Sequence, residues 1–131
     1  MGSEIGILGL YGLVVIITIM VQAGAAQGQV GQRALLQSRD NMPRLTGVAG
    51  RLDRAQINSV TAMALFAPAV LMLAQNGLAT TSTLRAAQAF LIARILFVPL
   101  YAFGVAGVRS LVWVIGMLAT VWIYVVALGW V

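Results

Sequence analysis

The stretch GRLDRAQINSVTAMALFAPAV, residues Gly50–Val70, leads from two arginines, an aspartate and an asparagine into a run of apolar side chains. Charged and amide groups are costly inside a lipid bilayer, so they face protein or water there rather than lipid. The start of this apolar run is therefore expected at a membrane surface. We interpret the stretch as the entrance to a membrane-spanning helix that carries polar side chains inward from that surface.

The rest of the chain has the composition of the same environment. Of its 131 residues, 61% are hydrophobic and only 8% are charged, and a soluble domain so composed would expose large apolar patches. Four apolar segments each approach the ~20 residues that a helix needs to cross a bilayer. They cover approximately residues 5–22, 57–74, 86–105 and 111–131. Because lipid offers the backbone no hydrogen-bond partners, we predict an all-α, four-helix transmembrane bundle, with residues 1–131 as one domain.

The charge distribution predicts the orientation of the bundle. All eight basic residues are arginines, and five of them lie in the long connection between the first two segments. Cytoplasmic loops of membrane proteins carry such an excess of basic residues, so the first and third connections are predicted to be cytoplasmic. Both chain termini would then lie outside, in a protein of the bacterial inner membrane. This distribution favours a topology signal over nucleic-acid binding.

The residues that are missing exclude several kinds of chemistry. The chain has no cysteine and no histidine, and its acids are Glu4, Asp40 and Asp53. Disulfides and cysteine-based metal sites are therefore excluded, and a protein metal site of any kind is not expected. A histidine general base or a Ser-His-Asp triad is also excluded.

A polar stripe runs along the predicted second helix. At ~100° per residue, Arg51, Arg54, Asn58 and Thr61 fall within an arc of about 80°. The two arginines alone could be surface residues whose side chains extend to lipid headgroups. Asn58 lies deeper, and a buried amide needs hydrogen-bond partners. The stripe therefore favours a polar site between helices.

The third helix carries a second stripe, formed by Arg94, Phe97 and Tyr101. Arg94 lies near the middle of its apolar segment and must face protein or water. Two roles remain open for it: a structural ion pair, with Asp53 as the best candidate acid, or contact with an anionic ligand. Tyr101 lies nearer the cytoplasmic end, where it is either an interfacial anchor or part of a site.

Arg109 and Ser110 are predicted to open the fourth helix. An arginine and a serine at a helix N-terminus suit an anion, although a surface arginine beside an N-cap serine has the same pattern. The helix ends together predict a cationic pocket at one membrane face. In the first helix, Gly6, Gly9 and Gly12 recur at every third position, which is typical of close helix packing, either within one chain or between copies.

Three motifs, in this order and at this spacing, resemble the bacterial branch of the MAPEG family, the membrane-associated proteins in eicosanoid and glutathione metabolism. They are GRLDRAQIN, ARILFVPLY and GVRSLVW, and they lie between Gly50 and Trp113. The resemblance implies a homotrimer of four-helix bundles that binds glutathione between neighbouring subunits near the cytoplasmic face. It also implies transferase or peroxidase activity on lipophilic electrophiles.

The resemblance assigns roles to particular residues. Arg54 and Asn58 match the arginine and asparagine of the family's second-helix motif, and Arg94 and Tyr101 match the arginine and later tyrosine of the third. Arg109 and Ser110 resemble the catalytic arginine–serine pair of the prostaglandin synthase branch. The residues implied to be catalytic are Arg109, Ser110 and Tyr101. The residues implied to bind glutathione are Arg51, Arg54, Asn58, Thr61 and Arg94.

Two positions depart from the family pattern. Thr61 stands where the second-helix motif has a glutamate that would engage the amino end of glutathione, and Phe97 stands where a tyrosine is frequent. They motivate an alternative function. In it, the protein is a non-catalytic member that has lost glutathione binding and serves as an accessory subunit of a membrane complex or as a lipid-binding protein.

Overall fold

The computed structural model describes residues 2–31, 35–36 and 44–131. Within these residues the chain forms four α-helices in sequence: α1 (Glu4–Val30), α2 (Gly47–Gln75), α3 (Thr81–Ala102) and α4 (Ala106–Ala127). All four are long and apolar enough to cross a membrane. The predicted all-α transmembrane bundle is confirmed, and the chain is an integral membrane protein.

The first two helices are longer than their apolar segments. They contain 27 and 29 residues, or about 40 Å at ~1.5 Å per residue, which exceeds the ~30 Å hydrocarbon core of a bilayer. α1 continues through AGAAQGQV, where alanines favour helix, and α2 begins at Gly47, before the opening motif. Apolarity thus predicted only a part of each helix, and the arginines of GRLDR lie on the first turns of α2, before its apolar segment.

α3 and α4 form a hairpin with a very short connection. Phe103, Gly104 and Val105 separate the two helices, and Gly104 has a φ of 73°, a value that a residue without a Cβ adopts freely. The prediction that Arg109 and Ser110 open α4 is wrong by about one turn. The helix begins at Ala106, so Ser110 is not the N-cap.

Aromatic rings hold the centre of the bundle together. The rings of Phe66 on α2 and Phe90 on α3 are stacked with centroids 3.8 Å apart, and the ring of Tyr11 on α1 meets Phe90 edge-on at 4.9 Å. All three side chains are buried. Such aromatic pairs stabilise packing beyond the effect of area alone, and here they fix three helices at one level.

The predicted glycine face of α1 is divided between two environments. A side chain added at Gly12 would contact the Met63 Cε atom of α2 at 3.7 Å, whereas one added at Gly9 would meet no atom within 4 Å. Gly12 therefore serves packing within the chain. Contact between copies through Gly9 stays a prediction.

Candidate functional site

The ring of Tyr101, in the last turn of α3, lies beside two guanidinium groups. The Arg109 Cζ atom of α4 is 4.5 Å from the ring centroid, and the Arg54 Cζ atom of α2 is 6.0 Å away. Phe97, one turn earlier on α3, packs against the same ring at 5.4 Å. Cation–π attraction thus gathers two positive charges from different helices around one aromatic side chain.

A cavity of about 410 Å³ opens beside this cluster, and we call it the outer cavity. Its lining residues come from α2, α3 and α4: Asn58, Phe97, Tyr101, Arg109, Ser110, Trp113 and Val114. The polar groups in this set suit an anion, while the indole of Trp113 and the side chain of Val114 offer an apolar wall. The volume lies in the range of small-molecule sites, about 300–1,000 Å³.

Asn58 carries an unsatisfied hydrogen-bond acceptor at this site. Its Oδ1 atom is buried and has no hydrogen-bond partner among the described residues. Leaving a buried acceptor unpaired costs about 1–3 kcal/mol, so the site favours a molecule that donates a hydrogen bond there. The residue lies four positions after Arg54, about 6 Å deeper along α2.

Arg94 is buried in the interior of the bundle with 2% of its surface exposed. Its Nε atom donates to the Tyr11 hydroxyl at 3.3 Å and its Nη2 atom donates to Ser59 Oγ at 3.4 Å. Its Cζ atom lies 4.2 Å from the centroid of the Phe97 ring. The Tyr11 hydroxyl in turn donates to the Ser59 carbonyl at 3.0 Å. Three helices therefore surround this charge with neutral groups.

Of the two roles left open for Arg94, the ion pair with Asp53 is not formed in the structure. The Asp53 Oδ1 atom instead accepts hydrogen bonds from Gln22 Nε2 at 3.4 Å and Gln56 Nε2 at 3.3 Å. The physical reason is depth along α2, because Asp53 precedes Ser59 by six residues, about 9 Å. The carboxylate therefore stays near the start of α2 while the guanidinium lies farther in.

A second cavity, of about 80 Å³, adjoins the outer one and includes the Arg94 side chain in its wall. We call it the inner cavity, and its lining residues are Asn58, Thr61, Ala62, Leu65, Phe90, Arg94, Trp113, Gly116, Met117 and Thr120. Asn58 and Trp113 line both cavities. A Cβ atom at Gly116 would lie 3.5 Å from Arg94 Cδ, in van der Waals contact, so a side chain longer than that of alanine would enter the space of the arginine stem.

The structure brings most of the predicted site residues together. Asn58, Tyr101, Arg109 and Ser110 line the outer cavity, and Asn58, Thr61 and Arg94 line the inner one. Arg51 and Arg54 line neither cavity, although the Arg54 Cζ atom lies 6.0 Å from the centroid of the Tyr101 ring.

Three predicted side chains also have partners within the protein. The Arg51 Nε atom donates to the Ala102 carbonyl at 2.7 Å, which places the first and third connections at the same end of the bundle. The hydroxyls of Thr61 and Ser110 donate to the carbonyls four residues earlier, at 3.0 and 3.2 Å.

Comparison with known proteins supports the identification that the motifs suggested. The sequence model of the MAPEG family matches residues 5–129, nearly the whole chain. The chain belongs to the MAPEG family. No curated protein and no solved structure gave a match in the corresponding searches.

Sequence reasoning missed three residues that shape the site of this MAPEG protein. Tyr11 and Ser59 hold Arg94, and Trp113 lines both cavities. A tyrosine well inside an apolar segment was a usable signal for Tyr11, because its hydroxyl needs a partner there. Serine is too common in membrane helices for Ser59 to have been singled out.

Proposed function

We propose that this MAPEG protein is a glutathione-dependent transferase or peroxidase that acts on lipophilic electrophiles. The observation that carries the proposal is the Tyr101 ring with the guanidinium groups of Arg54 and Arg109 beside it, at a cavity of about 410 Å³. Cationic groups that gather at one end of a membrane bundle attract a small anion from water. The apolar wall of the same cavity suits a reaction partner that arrives from lipid.

Residues in and beside the outer cavity fit two parts of glutathione. Arg54 and Arg109 suit its carboxylates, because guanidinium groups form strong charge-assisted hydrogen bonds with carboxylates. The unpaired Oδ1 atom of Asn58 suits an amide N–H of a peptide. Glutathione bound in this way would lie in the cavity that Trp113 also lines, and a lipophilic electrophile would pack against the Trp113 indole.

The proposed mechanism uses charge stabilisation by the chain's own residues. Bound glutathione would supply a thiol whose deprotonated form is the nucleophile. Arg109 stabilises the negative charge on sulfur, since a nearby cation favours the thiolate. Tyr101 and Ser110 are the candidate hydrogen-bond donors, and Ser110 must first turn its hydroxyl away from the Ala106 carbonyl. Arg51 acts indirectly in this scheme, by bracing the end of α3.

We also propose that the protein forms a homotrimer in the bacterial inner membrane, with the first connection cytoplasmic and both termini outside. The distribution of arginines supports this orientation. Since the chain has no cysteine, Arg44→Cys and Arg85→Cys give single reporters for opposite faces. A membrane-impermeant thiol reagent applied to intact cells should label residue 85 only. Labelling of residue 44 would contradict the predicted orientation.

The proposed homotrimer has its own test, because chemical cross-linking of the protein in native membranes should then yield trimers.

Binding of glutathione tests the proposed function directly. Isothermal calorimetry on the purified protein in detergent should show binding that Arg109→Ala weakens by about tenfold or more, the scale of a charge-assisted hydrogen bond. Arg85→Ala is the matched control, because Arg85 is exposed near the start of α3, outside the residues that line either cavity. Equal effects of the two variants on the affinity for glutathione would show that Arg109 does not bind glutathione.

A second candidate function is a non-catalytic role, as an accessory subunit of a membrane complex or as a lipid-binding protein. Thr61 and Phe97 favour it, because neither supplies the polar group that the family motifs have at these positions. Absence of glutathione binding, together with a lipid or a partner protein that copurifies from native membranes, would support this function over the enzymatic one.

A further inference from the structure

The two cavities are cationic and contain no compensating acid. Arg109 lines the outer cavity, Arg94 lines the inner one, and Arg54 lies beside the Tyr101 ring between α2 and α3. Of the residues that line either cavity in the described part of the chain, none is an aspartate or a glutamate. A molecule that fills this space meets one arginine in each cavity.

The acids of the described ranges are engaged elsewhere. The Glu4 carboxylate accepts a 3.5 Å hydrogen bond from Thr83 near the starts of α1 and α3. Asp53 is held between glutamine side chains of α1 and α2. The neighbours of Arg94 are two hydroxyl groups and an aromatic ring. The charge on Arg94 is therefore not neutralised by a carboxylate of these residues.

The remaining polar groups of the inner cavity carry no charge. The hydroxyl hydrogens of Thr61 and Thr120 point to the Ile57 and Gly116 carbonyls of their own helices. Asn58 Oδ1 has no partner among the described residues and can accept a hydrogen bond from a neutral amide N–H. A ligand ammonium placed there would instead share a poorly solvated space with Arg94, and like charges repel strongly where the effective dielectric constant is low.

We infer that the site discriminates against a free ammonium group on its thiol ligand: of two thiols with the same carboxylates, the one whose amino end is acylated or absent binds more tightly, with its negative groups facing the arginines. The inference rests on the proposed function and names the class of thiol that this site prefers. An amide N–H satisfies Asn58 Oδ1, while a carboxylate satisfies Arg94 or Arg109. Glutathione, which has a free ammonium group, should then bind more weakly than the same thiol without that group.

The test compares two thiols that differ only in this charge. Calorimetry measures binding of glutathione and of its desamino analogue, glutaryl-cysteinyl-glycine, to the full-length protein in detergent at neutral pH. The analogue should bind about tenfold tighter or more, the scale of one like-charge repulsion at an effective dielectric constant near 20. The wild-type protein alone gives this result, so it does not depend on the folding of a variant.

Three variants then locate the effect. Thr61→Glu places a carboxylate in the inner cavity wall and should reverse the preference in favour of glutathione. Thr61→Gln adds similar volume without charge and should leave the order unchanged. Thr81→Glu makes the same change at an exposed position in the first turn of α3, where an acid is well tolerated, and should also leave it unchanged.

The outcomes separate the inference from the proposed function. Glutathione that binds the wild-type protein as tightly as the analogue, or tighter, overturns the inference and supports the proposed function. Binding of neither thiol overturns the proposed function and the inference with it. A preference for the analogue that Thr61→Glu leaves unaltered would also overturn the assignment of this selectivity to the inner cavity.

Discussion

Replacing Tyr101 separates the effect of its ring from that of its hydroxyl. The ring contacts Arg109 at 4.5 Å and Arg54 at 6.0 Å, and only the first distance is well inside the cation–π range. Removing the ring in Tyr101→Leu should therefore cost about 1–2 kcal/mol in positioning the two arginines, most of it at Arg109. That corresponds to roughly a five- to thirtyfold loss in affinity for an anionic ligand.

Tyr101→Phe is the matched variant, because it keeps the ring and removes only the oxygen. The Tyr101 hydroxyl has no partner among the described residues, so its loss leaves no protein group unpaired. Binding of an anionic thiol by the phenylalanine variant should stay within about twofold of wild type, because cation–π attraction persists with phenylalanine. Calorimetry on both variants, with thermal unfolding in the same detergent, measures the two effects.

The result that would refute this reasoning is a loss of binding in Tyr101→Phe as large as in Tyr101→Leu. The affinity would then come from the hydroxyl, and the ring would serve only to position it. Turnover adds an independent measure: retained binding with a large fall in kcat in Tyr101→Phe would assign the hydroxyl to the reaction and the ring to binding.

Three further predictions concern the residues around the site. Arg94→Met should leave thermal stability equal or slightly higher, since well-packed apolar side chains often replace buried charges without loss; in the same calorimetry it should reduce the discrimination between glutathione and its desamino analogue. Arg51→Met should lower the free energy of unfolding by about 1–2 kcal/mol through the lost hydrogen bond to the Ala102 carbonyl, with Arg51→Lys intermediate in thermal melts. Gly116→Leu should destabilise the bundle by about 1–3 kcal/mol and abolish binding in the inner cavity, because its Cβ already lies 3.5 Å from Arg94 Cδ; a stable variant with unchanged binding would contradict this.

The fold followed from composition because lipid imposes a simple rule. Four apolar segments must form helices in lipid, because the backbone has no other hydrogen-bond partners there. The three motifs in turn indicated the MAPEG family. The helix ends were harder to predict, because α1 and α2 continue beyond the apolar segments from which they were predicted. Ser110 was placed at the start of α4 for the same reason, although the helix begins a turn earlier.

The site was predictable in its charges but not in its pairings. A helical period of 3.6 residues correctly placed Arg54 and Asn58 towards the same region. It could not show that Arg51 turns to the Ala102 carbonyl, because that contact joins residues 51 positions apart. The partners of Arg94 were missed for a related reason. A buried arginine suggests an acidic partner, whereas the neighbours of this guanidinium in the bundle are the neutral side chains of Tyr11, Ser59 and Phe97.

The contact between Tyr11 and Arg94 has a consequence for how the protein enters the membrane. α3 is the least hydrophobic of the four spans, and an arginine at the centre of a helix raises its insertion free energy by about 2.5–3.5 kcal/mol. The groups that receive this charge belong to α1 and α2, which the ribosome makes first. We therefore expect α3 to insert more efficiently once α1 and α2 are in the membrane, because Tyr11 and Ser59 then provide hydrogen-bond acceptors for Arg94.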